Sequence, residues 1–120
     1  MNYLILFSAL SIFLLIPIQD SFSELDISTN SKVYSPDHTL QVYGNGLPEE
    51  NLILRLFAPD ESITKFEQIQ TNSDGTFNHQ LLTWPDPSSS VPYGTYVVEV
   101  LSTEQNGLSK KIDIKFSSTT

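Results

Sequence analysis

Apolar and polar positions are arranged in two different ways along this chain. Residues 3–18 (YLILFSALSIFLLIPI) form one run without a charged side chain, whereas from Glu24 onward short apolar–polar alternations are cut by Pro, Gly, Asn and Asp. The second pattern predicts β-strands, because successive strand side chains point to opposite faces and turn residues close each run. Seven strands are expected, over residues 25–34, 39–43, 52–57, 63–70, 77–82, 94–100 and 111–116. No helical period competes with them.

Individual runs carry more detail. Over residues 52–57, Leu52, Leu54 and Leu56 share one face while Ile53, Arg55 and Phe57 share the other, so the strand is apolar on both sides. Such a strand needs cover on both faces or a surface that meets a partner. In residues 63–70, Phe66 and Ile69 are out of phase, which predicts a sheet edge, where a bulge costs least. Asn72-Ser73-Asp74-Gly75 reads as a tight hairpin turn. Residues 84–93 hold Pro85, Pro87 and Pro92 and are expected to be a crossover loop. Tyr96, Val98 and Val100 are expected inside, as are Ile112, Ile114 and Phe116. The expected fold class is all-β, a single domain of two packed antiparallel sheets over residues 24–120.

The uncharged run precedes that domain. A run of sixteen uncharged, mostly apolar residues falls short of the roughly 20 that span a bilayer, Pro17 closes the run, and Ser21-Phe22-Ser23 offers small residues for a signal peptidase. Residues 1–23 therefore read as a secretory signal peptide cleaved after Ser23. Met1-Asn2 supplies no Lys or Arg, so an uncleaved membrane anchor is the alternative.

Charge narrows the partners. The whole chain carries six basic and fourteen acidic residues, net −8. Loss of the leader removes Asp20 and leaves −7 on 97 residues. Such a balance argues against a nucleic-acid backbone and for a soluble extracellular domain. The chain has no cysteine, so the domain must rely on packing without disulfides, and thiolate chemistry and Cys-ligated metals are excluded.

Tyr34-Ser35-Pro36, Val42-Tyr43-Gly44, the Leu52, Leu54, Leu56 run with Pro59-Asp60, Thr71-Asn72-Ser73-Asp74-Gly75-Thr76-Phe77, and Pro92-Tyr93-Gly94-Thr95-Tyr96-Val97-Val98-Glu99-Val100 follow one another in a familiar order. The order resembles immunoglobulin-like β-sandwich modules, most of all the macroglobulin-type and Ig-like modules of secreted or surface proteins in archaea and bacteria. The resemblance spans residues 32–116. It implies a seven-stranded antiparallel Ig-like sandwich without catalytic residues. The commoner pattern has glycine where this chain has Asp37.

Candidate chemistry is sparse. His79 falls on the face of Phe77 and Leu81, as a half-buried, hydrogen-bonded histidine would, and His38 lies in a turn. No Gly-x-Ser-x-Gly elbow is present. Glu49-Glu50, Asp60-Glu61 and Asp74 with Asp86 fall in predicted turns and read as solvated carboxylates, so no enzyme and no cofactor is expected. Asn72, Asp74 and the Thr76 carbonyl resemble the start of a Ca²⁺ loop, but no Glu closes it at the twelve-residue spacing. No metal ligands are assigned. Trp84 and Tyr93 flank the proline-rich loop, and Trp84 is either a stacking surface or a plug for the end of the core.

The leading expectation is a non-catalytic module, secreted or at the cell surface, that contacts another extracellular or cell-surface protein. Ile53, Phe57, Trp84 and Tyr93 are its candidate partner-binding residues. A small extracellular glycan- or Ca²⁺-binding module is the alternative. Nucleic acid is not an expected partner, and a membrane is one only if the N-terminal run stays uncleaved.

Overall fold

The computed structural model describes residues 25–118, so the leader, its cleavage after Ser23 and the alternative of an uncleaved anchor lie outside the described residues. The described chain is an all-β sandwich of eight strands: β1 (Asp26–Thr29), β2 (Val33–Tyr34), β3 (Thr39–Asn45), β4 (Asn51–Phe57), β5 (Ile63–Gln70), β6 (Thr76–Thr83), β7 (Gly94–Ser102) and β8 (Ser109–Phe116). One sheet has the order β1-β3-β6 and the other β2-β8-β7-β4-β5. Alternation decides what each strand buries. Leu40 and Val42 of β3, Phe77 and Leu81 of β6, Leu52, Leu54 and Leu56 of β4, and Tyr96, Val98 and Val100 of β7 all turn into the space between the sheets.

Two expectations about topology are corrected. The single strand expected over residues 25–34 is two strands in different sheets: β1 pairs antiparallel with β3, and β2 pairs parallel with β8. The corner is built by Asn30. Its Oδ1 accepts the Gln41 N–H at 3.0 Å and the Tyr34 hydroxyl at 2.6 Å, while its amide donates to the Thr39 carbonyl at 3.0 Å. A polar Asn-Ser-Lys step between two apolar pairs thus switches sheets, and it introduces the one parallel pairing among the described strands. The Asn72–Gly75 turn forms locally, with the Gly75 N–H on the Asn72 carbonyl (2.9 Å) and the Asn72 N–H on the Thr76 carbonyl (2.8 Å). It is not a hairpin within a sheet, however, because β5 pairs with β4 and β6 pairs with β3. Turn chemistry specifies the reversal of the chain, and pairing partners are settled by which faces must be buried.

Other expectations match the structure. β5 is an edge strand, and its register with β4 slips between Leu56 and Phe57, leaving Thr64 as the extra residue. His79 is half-buried and its Nε2 lies 2.8 Å from Glu67 Oε2, joining the β6 and β5 edges of the two sheets. Asp37, where the related pattern prefers glycine, has φ 74°. Glycine adopts that left-handed position most freely, and aspartate is among the few other residues that tolerate it.

The two ends of the sandwich are closed by different means. At one end Trp84 has no exposed surface; its ring stacks on Phe116 (centroids 4.5 Å, 19°), meets the edge of Tyr96 (4.9 Å, 78°) and approaches Tyr34 (5.8 Å). Its backbone is held by the Asp37–His38 turn, at 2.8 and 2.9 Å. Burial raises the phenol pKa of Tyr34 and of Tyr96, whose hydroxyl donates to the Pro92 carbonyl at 2.7 Å. At the other end sits Glu50, which was expected to be a solvated turn residue and is instead fully buried. Its Oε1 accepts the Leu47 N–H (2.8 Å), Ser102 Oγ donates to its Oε2, and the Gln105 amide nitrogen lies 3.2 and 3.3 Å from the two oxygens. Its backbone N–H and carbonyl both engage Thr71, at 2.7 and 2.8 Å. Three loops, β3–β4, β5–β6 and β7–β8, therefore converge on one residue, the first and last on its carboxylate and the second on its backbone. Gly75 lets them approach: with φ 87°, it sits where a Cβ would lie 2.5 Å from the Gly46 carbonyl.

Replacing Glu50 with Ala leaves the Leu47 N–H and the Ser102 hydroxyl buried without this acceptor, and each such group costs about 1–3 kcal/mol. Urea denaturation should show a loss on the order of 3 kcal/mol for Glu50→Ala and a smaller one for Glu50→Gln, which keeps one acceptor. Trp84 is the only tryptophan, so native emission should be blue-shifted and resist acrylamide quenching. Trp84→Ala, followed by circular dichroism, should cost roughly 3–5 kcal/mol. Asp60 and Asp74 accept bonds from the N–H and hydroxyl of Ser62 and Thr76 respectively, which hold both carboxyls below the ordinary aspartate range. Their contribution to stability is present above the unfolded value near 3.9 and is lost as pH falls through the lower native value. A carbon-detected NMR titration should place both midpoints below those of the unfolded chain, and Thr76→Val should move Asp74 back toward it.

Candidate functional site

With Leu52, Leu54 and Leu56 committed to the core, alternation sends Ile53, Arg55 and Phe57 to the outer face of the five-stranded sheet. The register of β4 with β7 places Ile53 opposite Leu101, Arg55 opposite Glu99 and Phe57 opposite Val97. β5 extends these rows with Gln68, Phe66 and Ile63, and β8 with Ser109, Lys111 and Asp113. The outer face is therefore a grid of three rows. Its middle row is charged at the centre, and the rows beside it are apolar where β4 meets β7.

The central charges are neutralised within the face. Arg55 Nε donates to Glu99 Oε1 at 2.6 Å, a second guanidinium nitrogen pairs with the same oxygen, and Lys111 Nζ lies 3.9 Å from Glu99 Oε2. Arg55 also lies over the Phe57 ring, 5.2 Å from its centroid, so the aromatic face and the carboxyl hold one guanidinium from two directions. Glu99 is nearly buried, whereas Phe66 is 57% exposed and Ile63 51% exposed. Beside the Phe57–Val97 row, a shallow depression of about 470 Å³ is walled by Phe57, Pro59, Thr95, Val97, Lys111 and Asp113. The outer face of the three-stranded sheet differs in character: its rows carry Ser28, Tyr43 and Asn78, then Gln41 and Gln80.

The four candidate residues are divided by the structure. Ile53 and Phe57 lie together on the outer face, both half-buried. Tyr93 is 41% exposed on the β6–β7 crossover, where its ring packs on Phe116 with centroids 4.8 Å apart. Trp84 lies wholly inside the core, as the plug and not as a stacking surface, so it presents no face to a ligand. Val97, Leu101, Ile63 and Phe66 complete the apolar face but were not singled out from the sequence. Alternation about the inward set Tyr96, Val98 and Val100 marks Val97 as outward; what it lacks is the register that puts Val97 beside Phe57.

The residues of the candidate Ca²⁺ loop are turned toward one another. Asp74 Oδ1 accepts the Thr76 hydroxyl at 2.7 Å and its N–H at 3.1 Å, and the Thr76 carbonyl accepts the Asn72 N–H. Among the described residues, no group of three or more His, Asp or Glu is arranged to hold a metal ion.

No protein-family model and no curated protein matches the chain. Similarity is found among solved structures. A tetra-tandem repeat from the extending region of a large adhesion protein superposes with a TM-score of 0.60 at 20% identity, covering 82% of this chain and 25% of that one. A carbohydrate acetylesterase from Xanthomonas citri gives a TM-score of 0.49 at 15% identity, covering 71% of this chain and 16% of that one. A sporulation control protein from Bacillus subtilis gives 0.37 at 16% identity, over 79% and 49% of the two chains. The chain thus spans less than half the length of each of these structures. What it shares with the adhesion-protein repeat is the two-sheet β-sandwich fold.

Proposed function

We propose that this chain is a non-catalytic Ig-like module of the cell surface or extracellular space, and that it works by docking another surface or extracellular protein on the outer face of its five-stranded sheet. The observation that carries this reading is the composition of that face. Ile53, Phe57, Phe66, Val97 and Leu101 lie on the side of the sheet turned away from a core that is already closed, so their partial exposure serves no internal packing. Apolar and aromatic rows flanking an internally paired Arg–Glu centre, with further charges along β8, give the mixed surface of a protein–protein contact. Likeness in fold to an adhesion-protein repeat supports the same reading. The secretory character of residues 1–23 agrees with it.

A photo-reactive amino acid placed at Phe66 should give a covalent adduct when cells bearing the protein are irradiated. The same group at Asn78, on the outer face of the other sheet, should give none. Equal labelling from both positions, or no adduct from position 66, would sink the assignment of the face.

A further inference from the structure

We infer that the sandwich has a second contact, along the open edge of β8, where it receives an extended acidic segment of another protein as an added strand. This surface is distinct from the outer face, and the inference does not depend on the docking reading above. It starts from a mismatch in length. β8 keeps register with β7 from Ser109 to Phe116, but on its other side β2 pairs only with Lys115 and Phe116. On that side the Lys115 N–H donates to the Lys32 carbonyl at 2.9 Å and the Ser117 N–H to the Tyr34 carbonyl at 2.8 Å. Backbone groups alternate from side to side along a strand, so the N–H groups of Lys111 and Asp113 point along the same edge. No strand among the described residues pairs with them there. Such a row is a template for a further strand.

Charge names the strand that fits. Lys32, Lys110, Lys111 and Lys115, four of the six basic residues of the described chain, lie on β8 or beside it, with Asp113 the one acid of that strand. The other two bases, Arg55 and Lys65, are each paired with a carboxylate, and the other eleven acids lie on other strands and loops. An otherwise acidic domain thus presents one basic edge. Lys111 remains 62% exposed, since its Nζ is 3.9 Å from Glu99 Oε2 and the other Glu99 oxygen is held by Arg55. Edge lysines also guard against indiscriminate pairing, and the two roles agree: they turn away a basic strand and admit an acidic one. The β5 edge differs, because its register is broken, whereas β8 shows no shift against β7. Side chains then fix the order of residues in the segment. The residue opposite Ile112 lies on its side of the sheet, where Ile112 packs partly buried against the core, and is apolar. Those opposite Lys110 and Lys111 are acidic, one on each side of the sheet.

The blocked peptide Thr-Val-Glu-Glu-Val-Thr meets this order in either strand direction. Added to isotope-labelled protein recovered from its expressing cells, it should bind at concentrations up to about 1 mM. In NMR spectra the Lys111 and Asp113 amides should shift and exchange with deuterium at least about tenfold more slowly, while the Phe66 amide stays unchanged. Raising salt from about 20 to 300 mM should weaken binding. Lys in place of both Glu residues of the peptide should weaken it at least about tenfold, and N-methylation of alternate peptide residues should abolish it. Lys110→Gln combined with Lys111→Gln should lower affinity without changing the circular dichroism spectrum; if that variant does not fold, the peptide series decides. Absence of binding at about 1 mM overturns the inference, as does equal binding of the lysine peptide or a response centred on Phe57 and Phe66. The outer-face reading is judged separately, by the adduct from position 66.

Discussion

Glu50 closes the end of the sandwich that lacks an aromatic plug. It sits without exposed surface where three loops meet, and among the described residues no basic side chain forms an ion pair with it. Burying a carboxyl group away from water is costly unless its oxygens receive hydrogen bonds. The Leu47 N–H, the Ser102 hydroxyl and the Gln105 amide supply them here, the first from the β3–β4 loop and the other two from the end of β7 and the loop that follows it. The requirement runs in both directions: the loops satisfy Glu50, and Glu50 fixes the loops. In a chain without cysteine this polar hub does what a cross-link would otherwise do, holding the ends of β3, β5 and β7 in one relation. Glycine at position 46 belongs to the same arrangement, since a Cβ there would lie 2.8 Å from Glu50 Oε1.

With one end closed by Glu50 and the other by Trp84, the relative position of the two sheets is set, and with it which side of each strand is inside. The apolar outer face follows from that decision. β4 is apolar on both sides, so committing its leucines to the core obliges Ile53 and Phe57 to lie outside. A slip of one residue would reverse the assignment and place Arg55 in the core, where an unpaired charge is prohibitively costly. The Arg55–Glu99 pair therefore does double duty: it forbids the wrong register and neutralises the centre of the exposed face.

Much of the fold is legible in the sequence because strand alternation is local. The inward sets of β4, β7 and β8, the edge position of β5 and the crossover of residues 84–93 can all be read from consecutive residues. The features that escape such reading depend on distant segments. Glu50 stands next to Glu49 in a turn, and nothing in its neighbours announces that Thr71, Ser102 and Gln105 will enclose it. Asn72–Gly75 has the chemistry of a hairpin, but the sheets that receive its two strands are chosen by β4 and β3. Residues 25–34 carry apolar pairs at both ends of a polar stretch that reads equally well as one strand, and the switch at Asn30 depends on Gln41 and Thr39 of the neighbouring strand. The candidate site divides along the same line. Ile53 and Phe57 follow from alternation, whereas Val97, Leu101 and Phe66 become their neighbours only through register, and Trp84 is taken up by the core.

The irregularity of β5 joins these observations. The bulge at Thr64 puts Ile63 and Phe66 on the outer face, while Lys65 and Glu67 share the inner face with Ile69. Inward charges and a bulge are the devices by which an edge strand resists pairing with another chain. Glu67 is further engaged by His79 of the opposite sheet. The β5 edge of the five-stranded sheet is thus guarded against strand addition while its face displays exposed aromatic and aliphatic side chains. Blocking pairing along β5 while leaving the face apolar favours the face over that edge for the docking proposed above, so the same eight-residue strand supplies both the barrier and the exposed ring of Phe66.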